Sequence, residues 1–374
     1  DTGVTKIDFD DTIAVEGKSF TSTVATGTAP YAATSTTLNT NLNADMLDGL
    51  HSTSFVSDNL IINGDMNIAP RGTSFTSTSS LNNDDTYNLD RWVLLSDGND
   101  IVDVTQQADA PTGLLNSIRL DVETANKKFG ILQIIEQKNC QQIIGGTCSI
   151  SFYAKTAGSG KLDNLKAMVV SWSSTADTVT SDIVNAWGAE DTDPTLVANW
   201  TAENDPVDLN PTTSWARYTI ENISIDTAST TNVALFIFSD VTDTDVGDFL
   251  YITGVKLENS SIATNFKSRS IQQELALCQR YYEIMGSSDG FLYYDSYQMD
   301  AGQPIPQNVY FKVEKRATPT ITIFGTLNYS NCAAPSTAAS NTKGCVLKST
   351  LTATGRAYYL PDSADDYIEA AIEL

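Results

Sequence analysis

The chain has one histidine, His51, and none of its cysteines stand in C-x-x-C spacing. A zinc site of ordinary ligand spacing therefore cannot be assembled from it. The strings G-x-S-x-G, H-E-x-x-H and the phosphate-binding P-loop are also missing, which removes the local signatures of several hydrolase, metalloprotease and nucleotide-enzyme classes. Acids are numerous enough for a glycosidase-type carboxylate pair, but no motif singles one out. The long repeat of a β-helix depolymerase is absent as well. The chain is read as a non-enzyme with no catalytic residue and no required cofactor.

Positive charge is scarce: 22 Lys and Arg stand against 46 Asp and Glu, a net charge of −24. Such a surface repels phosphate backbones and anionic membranes, which argues against nucleic acid as a partner. There is no run of eighteen apolar residues and no basic-then-apolar leader, so neither membrane insertion nor a signal peptide is expected. The chain opens on Asp1 rather than Met and is expected to be processed or part of something longer. Cys140, Cys148, Cys278, Cys332 and Cys345 read as buried thiols, although Cys140 with Cys148, or Cys332 with Cys345, could bridge between neighbouring strands.

What is present is β-patterned and modular. Residues 1–57 are rich in Thr, Ser, Ala and Asn, too poor in large apolar groups to fold alone, and suited to a stalk or attachment segment completed by copies from other chains. Leu42, Met46, Leu47, Leu50 and Phe55 cluster there around a turn at Asp48-Gly49. Residues 58–268 carry period-two runs: ILQIIEQ, CSISFYAK, KAMVVSW, ARYTIENISI, NVALFIF and FLYITGVKLE. These predict an antiparallel sandwich, with Ile150, Phe152 and Ala154 on its core face and IIGGTC as a hairpin corner. Residues 269–374 predict a small helix-plus-antiparallel-sheet domain of four or five strands. Its leading helix, 270–285, has a capping box at Ser270 and Gln273, an apolar seam of Ile271, Leu275, Cys278, Tyr282 and Met285, and a stop at Gly286. That helix is expected to pack on its own terminal domain.

Several strings carry a resemblance. NLNADMLDGLH resembles a short module of bacteriophage tail fibres and related virion appendages. NLIINGDMNIAPRGTSF, YNLDRWVLL, LQIIEQ and YITGVKLENSSIATNFKSRS look like the jelly-roll modules of phage tail and fibre proteins, which are similar in turn to carbohydrate-binding modules. The continuation Glu274, Leu275, Cys278, Gln279, Arg280, Tyr281 and Tyr282 matches that family's most specific string. FKVEKRATPT resembles the segment that follows it, with Lys315 where the family has Met. The resemblance implies a mainly β fold, an antiparallel jelly-roll sandwich preceded by an extended β-rich stalk, and a fibre on a virion that attaches to host-surface glycans as a homotrimer beside other virion proteins. A free-standing extracellular carbohydrate-binding protein and a virion spacer without ligand are the alternatives.

The resemblance also implies a structural calcium between the first and last strands, and the matching positions are Asn63, Gly64, Asp65 and Asp248. Asn67 stands where the family often has Glu, and Thr253-Gly254 replace an acidic pair, so two ligand positions depart. The connection from Thr175 to Pro211 is long for a sandwich, and long loops often carry function. Because the C–H face of a pyranose matches an aromatic plane, Trp172, Trp187 and Trp200 are the glycan-binding candidates. Trp92, Trp172 and Trp215 stand on or beside apolar strands, where a core anchor is the plainer expectation. Gln279 and Arg280 lie off the helix seam and read as contacts positioning one module against the other.

Overall fold

The computed structural model describes residues 58–286 and 294–374 except positions 80, 326, 362 and 364, together with two short paired strands, Met46–Leu47 and Leu50–His51. Leu47 pairs with Leu50 and Met46 with His51, the register of a two-residue turn. Of the expected stalk, residues 1–57, all but these two short strands lie outside the described residues. Residues Met46–Leu374 form one compact unit.

Two six-stranded antiparallel sheets make the sandwich. One sheet runs in the order Trp200–Ala202, Leu165–Trp172, Asn232–Ser239, Phe129–Ile135, Val93–Ser96, Thr86–Tyr87. The other runs Ala216–Ser224, Thr147–Ala157, Phe249–Glu258, Ser117–Val122, Val102–Gln107, Ser74–Phe75. Between them lies the main core, where Trp92, Phe129, Ile150, Phe152, Leu235 and Ile252 pack together. Ile150, Phe152 and Ala154 are fully buried, as their alternation requires.

IIGGTC is a crossover rather than a hairpin, because Phe129–Ile135 and Thr147–Ala157 belong to different sheets. The run FGILQII is apolar on both faces and every residue is buried, whereas TCSISFYAKTA alternates. Strands with such different surroundings cannot share one half-exposed sheet. A helical turn, Gln137–Cys140, begins the crossing. Gly145 and Gly146 then pair with Ile225: the Gly145 amide donates to Ile225 O at 3.0 Å and the Ile225 amide donates to Gly146 O at 3.1 Å.

The long connection after Trp172 is a cover. It carries the hairpin Val184–Ala186 and Thr195–Leu196, and it returns to the sheet edge as Trp200–Ala202. Its apolar residues close over Met168, Val170, Phe236 and Phe238 on the outer face of the first sheet, making a second core there. Lysines tie the cover down: Lys128 Nζ donates to Ala189 O at 2.6 Å, and Lys166 Nζ lies 3.7 Å from Asp193 and 3.6 Å from Asp208.

The predicted helix is shorter than its pattern, Ile271–Gln279, and Tyr282–Gly286 is a strand paired with Tyr367–Ala371. The capping box at Ser270 and Gln273 forms as expected. Its seam is buried only in part: Cys278, Tyr282 and Met285 are buried, but Ile271 and Leu275 are 52% and 39% exposed and Glu274 is buried in their place. Cys278 and Tyr281 join the second core, so the helix packs onto the jelly roll. Beyond that contact nothing favours continued helix, and the aromatic and β-branched YYEI run takes the partner strand. The terminal region has nine described strands in three three-stranded sheets around Ile305, Leu347, Tyr359 and Ile368. No described helix is long and apolar enough to cross a membrane. All five cysteines are buried free thiols.

The strings that carried the resemblance meet at the joint between sandwich and terminal region. Arg280 forks onto Glu136 at 2.8 and 2.6 Å, and the Tyr281 hydroxyl donates to the same carboxylate at 3.0 Å. Arg91 stacks on Tyr281 at 3.7 Å and pairs with Glu373. Arg71 stacks on Tyr282 at 3.6 Å and bridges Asp90 at 2.5 Å and Glu373 at 2.6 Å. Glu274 accepts from the Asn63 amide and pairs with Arg269 at 3.0 Å. Lys315, standing where the family has Met, is fully buried and held 2.6 Å from Glu283. Charges buried this deeply persist only when paired and hydrogen-bonded. These groups therefore weld two modules.

Candidate functional site

The second sheet turns one face to the core and leaves one end of the other partly open to solvent, while Ser149, Ser151, Lys256 and Glu258 at its far end are buried. In Phe249–Glu258, Leu250 and Ile252 point inward, so Phe249 and Tyr251 point outward. In Thr147–Ala157, Tyr153 and Lys155 are outward by the same parity, and in Ser117–Val122 so are Arg119 and Asp121. Trp215, just before Ala216–Ser224, shares the outward phase of Arg217 and Thr219.

Register turns these into a surface. Tyr251 pairs with Lys155 on one side and with Arg119 on the other, and Arg119 pairs with Thr105. Trp215 meets Tyr251 edge-on, with centroids 6.2 Å apart and planes at 75°, and Phe249 lies 6.4 Å from Tyr251. Lys155 Nζ sits 4.8 Å from the Tyr251 ring and 5.2 Å from the Trp215 ring, and Arg119 lies 4.9 Å over Phe249. Asp109 fixes the end of the row: it accepts from Lys155 at 2.5 Å and from the Trp215 indole N–H at 3.0 Å. The hydrogen bond from Lys155 draws the Asp109 carboxyl below its ordinary value; slight burial opposes this and Trp215 adds to it. Farther along, burial pushes the facing carboxyls of Asp121 and Asp103 up, Asp103 adding to the rise at Asp121.

The candidates named from sequence fall elsewhere. Trp172 and Trp200 are each 5% exposed, pack on each other at 5.2 Å, and donate their indole N–H groups to Thr175 O and Thr180 O. Trp187 is half-buried against Phe236 and Phe238, with centroids 5.9 and 6.4 Å away. All three pack into the second core, Trp172 and Trp200 completely and Trp187 in part. Trp215, expected as a core anchor, is the tryptophan that faces outward. Strand parity was the signal that could have found it, since Tyr218 and Ile220 pack inward and Trp215 has the opposite phase.

Asp65 and Asp248 do not converge. Gly64 O accepts from Val255 near one end of the closing strand, whereas Asp248 precedes its first residue, Phe249. At about 3.3 Å per residue the two acids lie roughly 20 Å apart. Both oxygens of Asp248 are already occupied, one by the Ser159 amide at 2.5 Å, the other by the Ser159 hydroxyl and the Asp245 amide at 2.8 Å each. Among the described residues no group of three His, Cys, Asp or Glu could hold a metal ion, and the calcium arrangement implied by the resemblance does not fit these side chains.

No family model matches the chain, and no curated protein matches it in sequence. Solved structures do. One is the tailspike protein 4 enzymatically active domain of bacteriophage CBA120, at 15% identity and TM-score 0.31, covering 54% of this chain and 21% of that one. This chain thus spans about a fifth of the tailspike. Another is TmCBM61 in complex with β-1,4-galactotriose, at 14% identity and TM-score 0.29, covering 55% of this chain and 100% of that one. A third is the CBM22-1 xylan-binding domain from Paenibacillus barcinonensis Xyn10C, at 12% identity and TM-score 0.30, covering 57% and 98%. Identities of 12–15% leave the functional residues to be read from this chain itself.

Proposed function

We propose that the chain is a non-enzymatic glycan-binding protein whose ligand lies along the solvent face of the second sheet. The observation that carries this is the outward row of Trp215, Tyr251 and Phe249, interleaved with Lys155, Arg119, Asp109 and Asp121. Flat rings offer apolar surface to the C–H faces of successive sugar units, and fixed cations and carboxylates beside them suit hydroxyl groups. Recognition without cleavage is the reading we adopt for this face, because no sequence motif singles out a catalytic group among its acids.

We further propose that the protein belongs to a virion fibre that attaches to host-surface glycans as a homotrimer. The N-L-N-A-D-M-L-D-G-L-H string and the E-L-x-x-C-Q-R-Y-Y string support that placement. Three shallow faces on one particle appendage would then gain strength from effective concentration. A glycan array followed by calorimetry tests the binding half: Trp215→Ala and Tyr251→Ala each abolish or weaken by at least tenfold a signal that Trp187→Ala leaves unchanged. Undiminished binding by both outward variants would refute the assignment. Native mass tests the other half, because a monomer with intact residues 1–57 would place the protein among free-standing binding proteins.

A further inference from the structure

A cleft of about 590 Å³ opens between the edge of the sandwich and the outer face of a terminal sheet, away from the aromatic row. Its size lies within the about 300–1,000 Å³ range of small-ligand sites. Sheet register explains its floor. In Tyr367–Ala371, Ile368 and Ala370 enter the terminal core, so Tyr367 and Glu369 face outward. Phe324 pairs with Tyr367 and stacks on it at 4.7 Å with planes 21° apart, and Phe324 is 36% exposed. Across the cleft stand Tyr87 and Arg71 from the sandwich.

The polar groups in the cleft are preset. Tyr282 donates its hydroxyl to Glu369 Oε2 at 2.8 Å, and Glu369 Oε1 has no partner among the described residues. Tyr87 donates its hydroxyl to Leu374 O at 2.5 Å, which fixes that ring. Arg71 is spent on Asp90 and Glu373, and no other cation lines the space, so Glu369 leaves the cleft with excess negative charge. On the aromatic row of the second sheet, by contrast, each cation beside a ring has an acid of its own: Lys155 pairs with Asp109 and Arg119 lies 3.6 Å from Asp121.

We propose that this cleft is a second saccharide subsite, independent of the first, selective for neutral or amine-bearing sugars. A pyranose would lie against the Phe324 and Tyr367 rings, with a hydroxyl or ammonium group donating to Glu369 Oε1, and a uronate would be repelled. The test uses the full chain carrying Trp215→Ala and Tyr251→Ala together, which strips the first site of two of its three rings. Saturation-transfer NMR is run with cellohexaose, maltohexaose, chitosan hexamer and hexagalacturonate.

The expected result is transfer to at least one neutral or amine-bearing oligosaccharide and none to hexagalacturonate. Adding Phe324→Ala is expected to weaken that binding at least tenfold, and Glu369→Gln to weaken an amine-bearing ligand more than a neutral one. Unfolding midpoints within a few degrees of the parent show that these half-exposed substitutions leave the fold intact. Absence of transfer to any of the four, or binding indifferent to Phe324→Ala, overturns the proposal. Failure here leaves the sheet-face site standing, since that site is read on Trp215 in the parent protein.

Discussion

The two sheets of one sandwich use their aromatic residues in opposite ways. The first sheet is buried on both faces: every residue of Leu165–Trp172, Asn232–Ser239 and Phe129–Ile135 is buried, and Trp172, Trp187 and Trp200 close its outer side. The second sheet alternates, and its outer side is a mixed surface of Trp215, Tyr251, Phe249, Lys155 and Arg119. Tryptophan content alone therefore says little about ligand contact. What matters is whether a strand's second face has a cover, because a covered ring has already spent its surface on the core.

The sharpest way to break that comparison is to truncate on the covered side. Trp172→Ala or Trp200→Ala is expected to cost about 3–5 kcal/mol of stability, in the range for buried tryptophan truncation, without changing the affinity of molecules that remain folded. Denaturant unfolding alongside glycan calorimetry measures both. A loss of binding at full stability would return these residues to the site.

At the joint, Arg280→Ala leaves the nearly buried Glu136 carboxylate without its fork. The expected cost is about 2–4 kcal/mol, somewhat below that of a fully buried pair because Arg280 is partly exposed. Urea unfolding reads it, and a neutral result would mean that the weld is ornamental. On the bare face, Trp215→Ala is expected to reduce glycan affinity by about tenfold, about 1.4 kcal/mol, with little change in unfolding.

The smallest expected effect is in pH. Burial opposes ionisation of Glu136, but the hydrogen bond and charge of Arg280, helped by Tyr281, outweigh it and hold the carboxyl below its ordinary 4.5. A lowered folded value gives stability that is present above 4.5 and lost as pH falls through the folded value. Asp90 works the other way: burial drives it up to about 6, so its share is present in acid and lost as pH rises through about 6. Unfolding midpoints across pH 3–8 should lose their acid limb in Glu136→Gln and their neutral limb in Asp90→Asn. Unchanged profiles would show that these groups do not set the pH response.

Much of this was legible in the chain. Each of the six period-two runs named from sequence is a strand, and the capping box at Ser270 and Gln273 forms where it was read. Periodicity and capping are local properties, so local sequence determined them. The helix end was less legible, because YYEIM can satisfy either a helical seam or a strand, and the choice fell to the waiting partner Tyr367–Ala371. The order of strands was not legible either: IIGGTC reads as a corner whether its flanks share a sheet or cross between two.

The sequence by itself determined a β-rich, strongly acidic chain with alternating strands, buried thiols and a helix capped at Ser270. Only the tertiary structure decided which face of each sheet stays bare, which tryptophan lies on it, and that the family-like strings converge into a buried weld. The physical reason is distance in the chain. Arg71, Asp90, Arg91, Glu136, Arg280 and Glu373 are scattered over 300 residues, and charges so far apart reveal their pairing only once folding has brought them together.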